Sequence, residues 1–490
     1  MGADGGWRIP ASGGRWLVAA ASLAVVAWTL ALLPSGCQSP SASRTPDLPP
    51  GVLQIRPGSP APGPQATPPS LSKDAPRRPP PPAQRPTVPA VEPVIRVRVD
   101  TLGAGPIEFA HPSGWVWLKP SSTDQGVTLR SPVTVQAQAD GWRVVEASGQ
   151  RDAQRRELRP GGPLEIHPPR GDAAELQWRG APWPGFAVLV PLQGDGPLQV
   201  DLVFHVPMET YLPGVLAKEL YKEWGPETYR AQAVAARSYA MCEHAWWQGR
   251  RHFDVVAGQA SQAWIGATAD AKSRRAVTDT QGEYLVFDGR VVPAYYSSCC
   301  GGAAASATDA IRDGSWMDIA PLSVTDDRFI RARNCCEKAR TASWRITLPA
   351  DEFARRLNAW SSEEGRKDLG TLKTVRSISV AERNPAGRPT LYRIVDSGGR
   401  KALWGSEDLR YAVNGGATGT RDALKSGYLA PRVERGTVVL EGRGHGHGTG
   451  MCQHGAETMA KAGRSHAEIL RRYYPGATLE SAPTSPVEAR

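Results

Sequence analysis

The chain has 490 residues, including 44 Pro and 51 Gly, and a formal net charge of +10. Its length admits two or three domains, but the clustering of the prolines excludes a folded core along all of it. The basic balance does not indicate a nucleic-acid binder, because the arginines are scattered and no zinc-finger spacing, recognition helix or aromatic RNA-binding signature accompanies them. It suits an exported protein drawn to anionic wall polymers or membrane surfaces.

Arg8 and Arg15 precede the apolar run Trp16 to Leu33, a charged n-region and h-region of signal type that is also near the lower length for an uncleaved anchor. Residues 1–37 thus read as a signal segment ending in LLPSGC, with small Ser35 and Gly36 before Cys37 and with Pro34 where Leu is usual. Cys37 is the candidate lipidation site, and the membrane is a partner through that lipid or through the uncleaved helix. Either route exports the folded part to the cell envelope. Residues 38–92 are a Pro-rich tether, too poor in apolar residues to form a core and expected to be disordered.

From Val94 short alternating segments divided by Gly, Pro and Asp predict a β-rich region over 93–197. Trp115, Trp117, Trp142, Trp178 and Trp183 read either as a carbohydrate platform or as core, and core is expected. Between Val206 and Trp247 the pattern predicts a short helix, a turn with Gly225 and Pro226, and a longer helix whose face of Ala231, Val234, Ala235, Ser238 and Tyr239 allows close packing. Glu219 lies beside the apolar side of the first helix, where a carboxyl tends to have its pKa raised; the bland alternative is a surface Glu. Asp288-Gly289 between two apolar runs predicts a hairpin, and Gln262 is a candidate groove amide or a turn-stabilising one. Further on come the helices DEFARRLNAW and HAEILRRYY, and between them the glycine-alternating GRGHGHGTG feeds a helix that starts near Cys452. This loop lacks the Lys-Ser/Thr of a nucleotide P-loop. The expected fold is α+β: a β-rich N-terminal region, then a mixed α/β core over 198–480 with the helix pair and a Gly-rich loop-helix segment, and a tail at 481–490.

Two stretches, VPMETYLPGVLAKEL with YRAQAVAARSYAM, and GRGHGHGTGMCQHGAETMAKAGRSHAEILRRYYPGA, resemble the domain shared by sporulation stage II protein D and the bacterial amidase enhancers. The resemblance covers roughly Leu198 to Leu479. It implies action on peptidoglycan glycan strands, either as a lytic transglycosylase with a single Glu, matched by Glu219, or as a non-catalytic enhancer of a separate cell-wall amidase or an envelope scaffold. His447 matches the family's recurring histidine and is expected, with Gln262, to bind or orient sugar, while Arg237 is expected to hold the acid or a peptide carboxylate. Ordinary structural roles are the alternatives for all three. Ser261, Trp264, His445, Cys452 and His454 depart from the family pattern.

Cys37 apart, Cys242, Cys299, Cys300, Cys335, Cys336 and Cys452 stand in a compartment where disulfides persist. A link between the 299/300 and 335/336 pairs, and one between Cys242 and Cys452, are the expected disulfides. No metal or other cofactor is required by this reading. Zinc, which the resemblance implies for sporulation members through His and Cys ligands, is the competing reading, weakened here because Tyr295 to Ser298 supply no histidine.

Overall fold

The computed structural model describes residues 81–146, 155–158, 161–172, 174–194, 196–258, 261–311, 315–324, 336–417, 419 and 422–483. The signal segment, Cys37, most of the tether, Cys335 and the tail beyond residue 483 lie outside the described residues. No helix among the described residues is long and apolar enough to cross a membrane.

The fold is α+β, an N-terminal β-sheet region followed by a mixed α/β core. A seven-stranded sheet runs in the order Val255–Val256, Val94–Gly103, Gln199–Pro207, Phe186–Leu192, Leu164–His167, Trp115–Pro120 and Val127–Arg130. A six-stranded sheet of the intervening strands packs with it, so that Trp142, Trp178 and Trp183 are buried in one hydrophobic core, as alternation predicts. Trp115 stays exposed under Arg130. Strand Gln199–Pro207 belongs to this sheet and runs into helix α1 (Met208–Glu219), so the β region and the helix pair share their core across residue 198.

Helix α2 (Pro226–Trp247) starts with Pro at its first position, where no N–H is needed, and buries its small-residue face against α1 and the strand Glu283–Phe287. Helix α3 (Ala271–Asp279) is capped by Asp270, whose carboxylate accepts from the Ser273 N–H at 3.0 Å. The hairpin turn at Asp288-Gly289 has φ of 53° and 66°, the left-handed pair that a tight two-residue connection demands. A second core lies under the helices Ala350–Glu363 and Ser406–Gly415 and the strands between Ser343 and Arg443.

The end of the proline-rich stretch is not a free tether. Trp316 donates to the Pro82 carbonyl at 2.7 Å, and Arg85 donates to the carbonyls of Phe287, Arg290 and Val291 at 3.0–3.1 Å. Backbone carbonyls of the hairpin thus give a segment without apolar periodicity a reason to dock, correcting the expectation of disorder up to residue 92.

Gly214 sets how closely α1 approaches its neighbour. A Cβ there would collide with the Gly266 carbonyl and the Trp264 indole, which itself donates to the Tyr211 carbonyl at 3.1 Å. Alanine would gain about 1 kcal/mol in helix propensity, but overpacking against a fixed backbone oxygen costs about 1–3 kcal/mol. Gly214→Ala is therefore expected to lower the thermal midpoint, measured by circular dichroism. A raised midpoint would show that the 262–266 segment is not held against α1.

Candidate functional site

Glu219, the last residue of α1, is half-buried. Its Oε1 accepts from the Ala263 N–H at 2.9 Å, and its Oε2 accepts from the Gln453 side-chain amide at 3.3 Å. Burial raises the carboxyl's pKa above the ordinary value; the two hydrogen bonds and exposed Lys218 oppose that only partly. Among the described residues no Arg, Lys or His makes a salt bridge with it. The acid is held by neutral donors. That leaves a carboxyl fixed in position with its pKa displaced upward, the direction that general-acid chemistry requires.

Each donor comes from a different part of the chain. Ala263 follows Gln262, which the structure buries to 1 % exposure with its hydrogen bonds made inside the protein. Its Oε1 accepts from the Tyr211 hydroxyl at 3.1 Å, and its Nε2 donates to the Ala236 carbonyl and the Tyr296 hydroxyl at 3.2 and 3.1 Å. Gln262 therefore anchors the segment carrying Ala263, where a sugar-facing side chain was expected. Gln453 opens the helix Gln453–Lys461, which is docked onto α2 through Glu457: its Oε2 accepts from the Gly225 N–H at 2.9 Å and the Thr228 hydroxyl at 2.7 Å.

The glycine-alternating stretch is laced to the segment around Cys299. Cys299 and His445 exchange backbone hydrogen bonds at 3.1 and 2.8 Å, Ala305 donates to Gly448 at 3.0 Å, and Met451 donates to Tyr295 at 3.1 Å. Tyr296–Ser297 and Met451–Cys452 pair in parallel. Gly450 has φ +68°, and a Cβ there would strike the Tyr295 carbonyl, so the close approach needs glycine. Arg388, 2 % exposed, clamps both sides: it donates to the carbonyls of Cys300 and Ala303 at 3.0 and 3.3 Å and to that of His447 at 3.1 Å.

His447 sits inside this lacing. Its Nδ1 accepts from the Thr449 N–H at 3.0 Å, and burial lowers its pKa to about 3, so the ring is neutral. It positions the loop. Arg237 is displaced from its expected role: fully buried, it makes a bidentate pair with Glu209 at 2.6 and 2.8 Å and donates to the Glu283 carbonyl, while Glu219 lies elsewhere. A cationic fork this far inside the fold needs a carboxylate partner, and it takes Glu209 at the start of α1, the helix that ends at Glu219.

Among the described cysteines, Cys242, Cys299, Cys300, Cys336 and Cys452 carry no disulfide. Cys300 and Cys336 meet at 3.6 Å between sulphurs, a thiol contact against the roughly 2 Å of a covalent bridge. Cys300 and Cys336 are thus neighbours as expected, but not bonded. Cys242 donates to the Val291 carbonyl at 3.6 Å and stands outside the thiol group that holds Cys452, so the expected Cys242–Cys452 disulfide is not formed. The thiols of Cys300, Cys336 and Cys452 all lie within 4.8 Å of one another and are buried, an arrangement consistent with a metal site. Cys299 contacts the Cys336 and Cys452 thiols and its pKa is pushed up to about 12, chiefly by the Cys336 hydrogen bond. Soft sulphur donors grouped in this way fit zinc.

Gln453, the second donor to Glu219, is not among the residues singled out from the sequence, although GMCQHG places a polar side chain at a helix start directly after the glycine loop. A cavity of about 490 Å³ between Ile107 and Trp178 lies in the β region, away from Glu219.

The family described as stage II sporulation protein matches residues 198–287, the span holding Glu219 and Ala263. The chain is 25 % identical over 304 residues to the amidase enhancer of Bacillus subtilis, covering 55 % of this chain and 40 % of that protein. It is 28 % identical over 273 residues to an uncharacterised protein of Brachyspira hyodysenteriae, covering 56 % and 66 %. With stage II sporulation protein D of Bacillus amyloliquefaciens it shares 25 % identity over 300 residues, covering 57 % and 76 %. The chain therefore spans less than half the length of the amidase enhancer it matches. At the level of family, this chain matches the stage II sporulation protein D and amidase enhancer proteins.

Proposed function

We propose that this chain is an exported peptidoglycan-binding protein of the cell envelope that promotes the work of a separate wall amidase. The observation that carries the reading is the similarity to an amidase enhancer over 304 residues. The signal-type N-terminus and the net charge of +10 suit an anionic wall. The full chain, mixed with purified sacculi, is expected to sediment with them and to raise the rate at which a cell-wall amidase releases stem peptides. Absence of both effects would contradict the reading.

A second reading is favoured by one specific observation, the half-buried Glu219 carboxyl with its raised pKa and, among the described residues, no salt-bridge partner. Glu219 would protonate the glycosidic oxygen as the bond from C1 of N-acetylmuramic acid breaks. The resulting carboxylate would take the proton of the muramoyl C6 hydroxyl as that oxygen bonds to C1. The acid is regenerated, no water is consumed, and a 1,6-anhydro sugar is left. An internal nucleophile removes the need for the second carboxylate of ordinary glycosidases. Gln453 and the Ala263 N–H would orient the acid, with Gln262 and His447 positioning the segments that carry them. Anhydro-muropeptides formed by the wild-type chain and lost at least about 100-fold in Glu219→Gln would support this reading; equal yields from both would reject it.

The pH dependence of stability follows from the same carboxyl. A raised pKa means the stabilising protonated form is fully present below the unfolded value near 4.5 and is lost as pH rises through the folded value. Glu219→Gln is therefore expected to raise the thermal midpoint at neutral pH by about 1–3 °C and to leave it unchanged near pH 4. A lowered midpoint at neutral pH would contradict the net cost of burying that charge.

Cys300, Cys336 and Cys452, with Cys299 beside them, would hold a zinc ion as thiolates, and the ion would tie the loop after the hairpin to the glycine stretch. The purified chain is expected to carry zinc and, when loaded with cobalt, to show thiolate charge-transfer bands that Cys300→Ser or Cys452→Ser weakens. Cysteines fully reactive in the native chain together with no bound metal would contradict it.

A further inference from the structure

Three consecutive residues at the start of the helix Gln453–Lys461 address three different groups. Cys452 joins the thiols, Gln453 reaches Glu219, and the His454 ring packs on Trp224 and Tyr221 at centroid distances of 5.0 and 5.9 Å. Tyr221 leans on Trp224 at 5.1 Å with the rings inclined by 56°. Trp224 is 5 % exposed, whereas Tyr221 keeps 43 % of its surface open, two residues beyond Glu219.

A lone exposed aromatic ring is ordinary and points to nothing. Tyr221 differs in two respects. The segment is held by backbone, since the Tyr221 carbonyl accepts from the Trp224 N–H at 3.0 Å and from the Tyr229 hydroxyl at 3.1 Å, so the open ring is not needed to keep the turn. The ring is also braced by two aromatic neighbours, which reduces the rotamer freedom a ligand would have to freeze. Its immediate neighbours Lys222 and Glu223 are exposed and charged. This is a single apolar face in a polar rim, the complement of a ligand with one C–H face and hydroxyls around its edge.

We infer that Tyr221, braced by Trp224 and His454, is a stacking subsite for one ring of a β-1,4-linked hexosamine glycan whose neighbouring unit lies at Glu219. The inference rests on the peptidoglycan-binding reading above and is independent of whether bonds are broken. The test uses the full chain carrying Glu219→Gln, so that nothing is turned over, titrated with soluble β-1,4 N-acetylglucosamine oligomers by calorimetry. Adding Tyr221→Ala is expected to weaken binding about 5- to 10-fold, Tyr221→Lys by a similar factor, and Tyr221→Phe by no more than about twofold. Unaltered affinity in the Ala and Lys variants would overturn the stacking subsite while leaving glycan binding by the parent intact. A parent that binds no oligomer would overturn the glycan reading and this inference with it. Loss of amidase stimulation with oligomer affinity unchanged would assign Tyr221 to a protein contact and overturn the inference.

Discussion

The structure around the candidate site depends on one constraint: a carboxyl at the end of α1 is drawn out of water and held by two neutral donors, and among the described residues no cation makes a salt bridge with it. An ion pair would have fixed Glu219 as a permanent carboxylate and lowered its pKa. The Ala263 N–H and the Gln453 amide orient the oxygens while leaving burial as the dominant influence on the proton. Much of the surrounding architecture serves those two donors. Gln262 fixes the strand-like stretch that presents Ala263. Glu457 fixes the helix that presents Gln453 onto the start of α2.

The same economy explains the buried cations. Arg237 and Arg388 are both deep in the protein, yet neither is aimed at Glu219. Arg237 neutralises Glu209, and Arg388 is spent on carbonyls of the two loops that carry the thiols and His447. Keeping positive charge on structural duty and away from the acid is what lets the carboxyl stay protonatable. The cost of burying guanidinium groups is met by several hydrogen bonds each, and clamping of the loops is the gain.

Much of this was legible in the chain itself. Pro226, the small-residue face of α2, the Asp288-Gly289 turn and the C-terminal helices are local signals, and each appears where its chemistry requires. What was not legible is which distant group each polar side chain meets. Arg237 could reach a carboxylate, but nothing in its neighbourhood distinguishes Glu209 from Glu219. Gln262 has the donors and acceptor of a sugar-binding amide, and only its depth shows them taken up by Ala236 and Tyr296, to which it donates, and by Tyr211, from which it accepts. The cysteine pairs were read as neighbours, which Cys300 and Cys336 are, but spacing alone cannot separate a thiol contact from a bridge. Gln453 was overlooked because its role depends on the docking of two segments more than 200 residues apart.

The most direct measurement is the titration of the Glu219 carboxyl itself, by isotope-edited NMR or infrared spectroscopy on the full chain with Glu219→Gln to assign the signal. The account predicts a midpoint above that of an ordinary glutamate. A midpoint at or below the ordinary value would show a carboxylate stabilised in its charged form, and the reading of Glu219 as a proton donor would be wrong.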